Sequence, residues 1–122
     1  MVLMVEIKQL YQPAGSTMCG QTCIAMVAGI GLDAACKAVG HSHSTKTREI
    51  VQALRNLGLK CGCRLLRVGK RRSVPRFGIV RKSFGRGVMG HWVVVWDGVV
   101  IDPDRYSDGG GKITSFIEIF NQ

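Results

Sequence analysis

From Arg67 to Arg86 the chain has no acidic residue at all, although eight of those 20 positions are lysine or arginine. A segment so one-sided in charge attracts anions, such as nucleic acid, an acidic lipid surface or an acidic protein. It contributes much of the formal charge of +9. Aromatic residues are scarce at 7% and do not interleave with these cations, so the stripe lacks a base-stacking series. No apolar run approaches the roughly 18 residues that a membrane span needs, which argues against membrane insertion. Cysteines number five, an odd count without a regular framework or an export signal, which favours free thiols and a reducing, cytoplasmic setting. Histidine is rarer still, with three in the chain, so any chemistry that needs an imidazole has few candidates.

What is present is an ordinary globular balance, 46% apolar and 20% charged, in 122 residues. That length suits one domain, 1–122, with a single core. The opening MVLMVEIKQL reads as mature protein; its alternation, with Val2, Met4 and Glu6 against Leu3, Val5 and Ile7, predicts a strand. A loop follows from Gln12 to Met18, in which Ser16 or Thr17 is placed to cap a helix starting at Cys19. The helix is apolar nearly all round from Ile24 to Ala28, as a buried central helix would be, and stops at Gly29–Gly31. A second helix spans Leu32 to Gly40. A third begins after Ser44 or Thr45, with Ile50, Val51, Leu54 and Leu57 at helical spacing, and Gly58 closes it.

The second half changes period. CGCRLLRV, FGIVRKSF, HWVVVW, VVID and ITSFIEIF are predicted strands, with Asp97-Gly98 as a tight hairpin turn and Gly109–Gly111 joining the last two. Helices followed by antiparallel strands make an α+β domain.

The chemistry concentrates at CGQTC. A helix N-terminus and a neighbouring imidazole are the two usual means of lowering a thiol pKa. Cys19 occupies the first turn, whereas Cys23 lies one turn inside, against the core, where a cysteine is ordinarily packing. His41 and His43 sit in a polar connection and read as solvated loop residues. His91 starts a stiff strand. Extending the Asp97-Gly98 hairpin places His91 opposite Asp104 and Val93 opposite Asp102, so one face holds the imidazole and two carboxylates. A carboxylate there would fix the ring's tautomer and stabilise its cation. Trp92 and Trp96 fall on the opposite face, as core.

"Q…CGQTCIAMV" followed by "GHWVVVWDGVVIDPD" resembles the papain-like cysteine peptidases, and most closely the bacteriocin-processing, double-glycine-leader peptidases and their free-standing relatives. The resemblance implies a papain-like fold, with a helical N-terminal half whose central helix packs on an antiparallel sheet. It also implies Cys19 as nucleophile, His91 as general base, Asp102 as its orienting carboxylate and Gln12 as side-chain oxyanion donor. The expected activity is hydrolysis of a peptide or isopeptide bond, with no cofactor and no metal. The chain departs from the family at Met18, where aspartate is frequent, and in its short hairpin, and it has no counterpart of the transporter that often accompanies the peptidase. The papain spacing of paired cysteines would nominate Cys23 instead, but that leaves Gln12 too far upstream and the sulfur inside an apolar turn.

The expected partner is a protein or peptide substrate, acidic if the basic stripe recruits it. Arg71, Arg72, Arg81 and Lys82 are the candidate substrate- or anion-binding residues. Two other classes stand beside this reading. One is an inactive papain-like domain that binds an acidic protein or nucleic acid through 67–86. The other is a zinc module built from Cys36, His41, His43, Cys61 and Cys63, whose C-x-C and H-x-H gaps are shorter than the usual ligand spacing. On that alternative, Cys61 and Cys63 share one face of a strand; without zinc, they are two small side chains on one buried face.

Overall fold

A computed structural model describes residues 6–120. It has three helices, α1 (Cys19–Ala28), α2 (Leu32–Val39) and α3 (Thr47–Asn56). Five strands follow: β1 (Leu66–Arg67), β2 (Phe77–Ser83), β3 (His91–Trp96), β4 (Val99–Ile101) and β5 (Lys112–Glu118). They form one open sheet in the order β1-β5-β2-β3-β4, antiparallel throughout. The chain is therefore α+β, as the change of period predicts.

Helix α1 is buried from Gly20 to Met26, because its apolar residues surround it and have no polar face to turn to solvent. It ends at Gly29, whose left-handed backbone donates to Ala25 O. Ile24, Ile50 and Leu54 pack with Ile79, Trp92, Val94, Trp96 and Ile117 in the main core between helices and sheet. Trp92 and Trp96 are thus core residues, on the face their spacing assigns them. The opposite face carries a smaller cluster of Val80, Val93, Val95 and Phe116, so β3 is covered on both sides.

The Asp97-Gly98 turn forms with positive φ at both residues (54° and 80°), which matches a two-residue hairpin. Its register is the expected one, Trp96↔Val99 through Val94↔Ile101. There the ladder stops, since Pro103 has no N–H to offer and the chain turns away at Asp102.

Four local expectations are corrected. The predicted first strand lies mostly outside the described residues, and Glu6 and Ile7 are not in a strand. Neither Ser16 nor Thr17 caps α1; the N-cap is Met18 without a side-chain cap, and Ser16 Oγ accepts from Met18 N at 3.4 Å. Helix α3 is likewise capped by Lys46 rather than Ser44 or Thr45, with Glu49 Oε1 accepting from Lys46 N at 2.7 Å. CGCRLLRV is not one strand: Cys61 makes an isolated bridge to Ile119, and pairing resumes only at Leu66–Arg67. Gly62 N still donates to Glu118 O at 2.9 Å, and the chain then bends at Cys63 and Arg64. Cys61 is accordingly buried, whereas Cys63 is exposed rather than on a shared buried face.

Cys23 is fully buried among these core side chains. Cys23→Ala should lower unfolding stability by about 1–2 kcal/mol, the cost of a small core truncation, while leaving Cys19 reactive. Chemical denaturation beside thiol labelling checks this; lost reactivity in a still-folded Cys23→Ala protein would contradict it.

Candidate active site

Cys19 is the first residue of α1, where the unpaired N–H groups of the first turn favour an anion. His91 is the first residue of β3, paired with Lys82 of β2 on one side and ahead of the span that β4 covers on the other. Asp102 follows the last residue of β4. Its Oδ1 lies 2.7 Å from His91 Nε2, with both side chains less than one-fifth exposed. The opposite ring edge serves Cys19, whose sulfur is hydrogen-bonded to the imidazole. Thiol, imidazole and carboxylate therefore form one chain.

The expected opposition of His91 and Asp104 is replaced by a local turn. Asp104 N donates to the same Asp102 Oδ1 at 2.8 Å, which locks the carboxylate after the strand ends. Asp104 itself supplies the wall of the cleft rather than a partner for the ring.

The electrostatics follow from this packing. Burial pushes the Cys19 thiol up, but hydrogen bonds from His91 and the Trp92 backbone, the imidazole's charge and the Gly20 N–H outweigh it. The net shift is downward. Burial pulls His91 down, yet Asp102 and the Cys19 sulfur raise it to about 9. Burial also raises Asp102, against which the His91 ring, the Asp104 N–H and the Ser107 hydroxyl hold it below its ordinary value. All three shifts favour a thiolate–imidazolium pair flanked by a carboxylate. Cys23 contrasts sharply: burial, with the nearby Cys19 and Asp102 charges, pushes its thiol well up. Of the two cysteines, only Cys19 has the environment of a nucleophile.

Gln12 lines the same cleft, of about 480 Å³, with Cys19, His91, Trp92 and Arg81. Its backbone N–H donates to Pro103 O at 2.8 Å, tying the loop before α1 to the turn after Asp102. The side chain donates Nε2 to Ser16 O at 2.9 Å, leaving its second amide hydrogen for a ligand.

The four basic candidates separate. Arg81 lines the cleft. Lys82, its neighbour on the strand, points to the other face and is buried, with Nζ donating to Gly109 O and Gly110 O at 3.3 and 3.2 Å. Arg71 and Arg72 are exposed in the turn bridged by Gly69 and Arg72, and do not line the cleft. His41 is not a solvated loop residue: it is half-buried, stacked on His43 with ring centroids 3.7 Å apart and Nε2 2.6 Å from Glu49 Oε2. Among the described residues, no group of three histidine, cysteine or carboxylate side chains is arranged to hold a metal.

Several contributors carry no signal in a linear reading. Gln9 donates to Asp102 O at 2.9 Å, bracing the carboxylate residue from 93 positions away. Gln21, fully buried in α1, donates to His41 O and His43 O at 3.1 and 2.7 Å and so secures the loop leading to Thr45. Thr45 then packs directly over Gly20. A Cβ at Gly20 would lie 2.0 Å from Thr45 Oγ1, which explains why glycine follows the thiol. The Cys-Gly pair could have suggested close approach, but not what approaches.

Compared with protein-family models and with curated proteins, the chain matches none.

Alkylation of Cys19 by iodoacetamide should climb with pH earlier in the native protein than in His91→Ala, where burial is no longer opposed by the ring. Superimposable pH curves for the two proteins would contradict the pairing.

Proposed function

We propose that the protein is a papain-like cysteine peptidase that hydrolyses a peptide or isopeptide bond. The observation that carries this is the His91 ring, with Nε2 at 2.7 Å from Asp102 Oδ1 and a hydrogen bond to Cys19 at the mouth of a cleft. The arrangement of a central helix headed by the thiol, against an antiparallel sheet headed by the imidazole, supports the papain-like reading.

In this mechanism the Cys19 thiolate attacks the carbonyl carbon while imidazolium His91 holds the proton. The developing oxyanion is received by the Cys19 backbone N–H and the free amide hydrogen of Gln12, one such donor contributing about 3 kcal/mol. His91 gives its proton to the leaving amine, leaving a thioester. Water, deprotonated by the now neutral ring, then attacks the thioester and releases the acid, restoring the pair. Asp102 keeps the ring oriented and stabilises its cation throughout. The raised His91 value matters here: the proton needed by the leaving group stays on the ring up to about pH 9. No metal or cofactor takes part in these steps.

The exposed cations Arg67, Lys70, Arg71 and Arg72 favour one other reading, an anion-binding domain on the same fold. Salt-sensitive nucleic-acid or acidic-protein binding that persists in Cys19→Ala would support it.

Labelling with a thiol-directed acyl-analogue probe tests the peptidase. The native protein should react at Cys19, Cys19→Ala and His91→Ala should not, and Gln12→Ala should hydrolyse a substrate roughly a hundredfold more slowly. Labelling that neither Cys19→Ala nor His91→Ala diminishes would reject the assignment.

A further inference from the structure

Beside Cys19 the cleft holds a cation whose use the acyl-transfer steps leave unexplained. Arg81 lies on the helix-facing side of β2, directly across from Trp92, and its guanidinium carbon sits 4.9 Å from the Trp92 ring centroid. On its other side is Gly90, where a Cβ would fall 2.7–2.9 Å from the guanidinium atoms. Glycine at 90 is therefore what lets the fork lie against the backbone next to His91. Strand alternation puts these two consecutive cations on opposite faces: Lys82 donates to two carbonyls, and Arg81 faces the cleft.

Among the described residues Arg81 forms no ion pair. Two carboxylates share its cleft, but both are engaged elsewhere: Asp104 Oδ1 accepts from Tyr106 N at 3.0 Å and Asp108 Oδ1 from Gly110 N at 2.8 Å. Their charges discourage an anion from the rest of the wall, and the held guanidinium invites one at a single point. A planar fork fixed by an aromatic ring is preorganised for two-point recognition of a carboxylate.

We propose that Arg81 forms a carboxylate-binding subsite beside Cys19, so that the substrate carries a carboxylate close to the scissile bond. The carboxylate comes from an acidic side chain or from a free C-terminus. This inference rests on the cysteine-peptidase reading and adds the class of substrate.

Epoxysuccinyl dipeptides, which alkylate nucleophilic thiols, test it in matched pairs: Glu against Gln in the side chain, and free acid against amide at the C-terminus. The rate of Cys19 modification is measured for each, at low and high salt. In the native protein the carboxylate member of one pair should react about tenfold faster or more, with the advantage shrinking in salt. A Glu/Gln difference identifies an acidic side chain, and an acid/amide difference a C-terminus. Arg81→Gln and Arg81→Met should bring that ratio close to one. Each ratio compares two rates on the same sample, so partial loss of folded protein leaves it unchanged. Ratios near one in the native protein, or an advantage that survives both substitutions, would overturn the subsite while leaving the peptidase intact. Failure of every probe to modify Cys19 faster than an unactivated thiol would overturn the peptidase reading and the subsite with it.

Discussion

The hydrogen bond between His91 and Asp102 is the constraint on which the rest of the site depends. A half-buried imidazolium lacks part of the hydration that would stabilise its charge in water, so desolvation alone would make His91 a weaker base. The carboxylate at 2.7 Å reverses that balance and, by occupying Nε2, directs the other nitrogen toward Cys19. The thiol then gains a cationic neighbour and titrates below its ordinary value despite its own burial. Remove the carboxylate and the upward shift of His91 loses its largest support, and with it the cation that lowers the Cys19 thiol.

Much of the fold exists to hold this contact. The Asp97-Gly98 turn returns the chain beside β3, and Pro103 ends the ladder where Asp102 must face His91 rather than continue as strand. Three links from the N-terminal part fasten the turn and the opposite wall: Gln9 to Asp102 O, the Gln12 N–H to Pro103 O, and Gln21 to the 41–43 loop. Glycine at 20 and at 90 allows Thr45 and Arg81 to approach where any side chain would collide. The nucleophile is thus set by a helix terminus, its base by a strand terminus, and their separation by polar bridges between loops.

The sequence made some of this readable for clear physical reasons. Short-range signals were sufficient for α1, α2 and α3, for the hairpin register and for the inward faces of Trp92 and Trp96, because period and turn chemistry act locally. Cys19 and His91 follow from the same local rules applied to a helix start and a hairpin, whereas the hairpin offered Asp102 and Asp104 alike and only the family resemblance singled out Asp102. What escaped depends on distant partners. The His41–Glu49 contact, the exposed Cys63, the bracing by Gln9 and the carbonyls that Lys82 meets are fixed by tertiary packing, which no spacing rule encodes. The caps lie one or two residues beyond the expected serines and threonines; before α3, Thr45 is packed over Gly20 and Lys46 takes the cap position.

Nitrogen-detected NMR titration of the His91 ring tests the account most directly. The imidazolium should persist to about pH 9 in the native protein and lose its proton at lower pH in Asp102→Asn. A native His91 that titrates near 6.5, unmoved by that substitution, would contradict it.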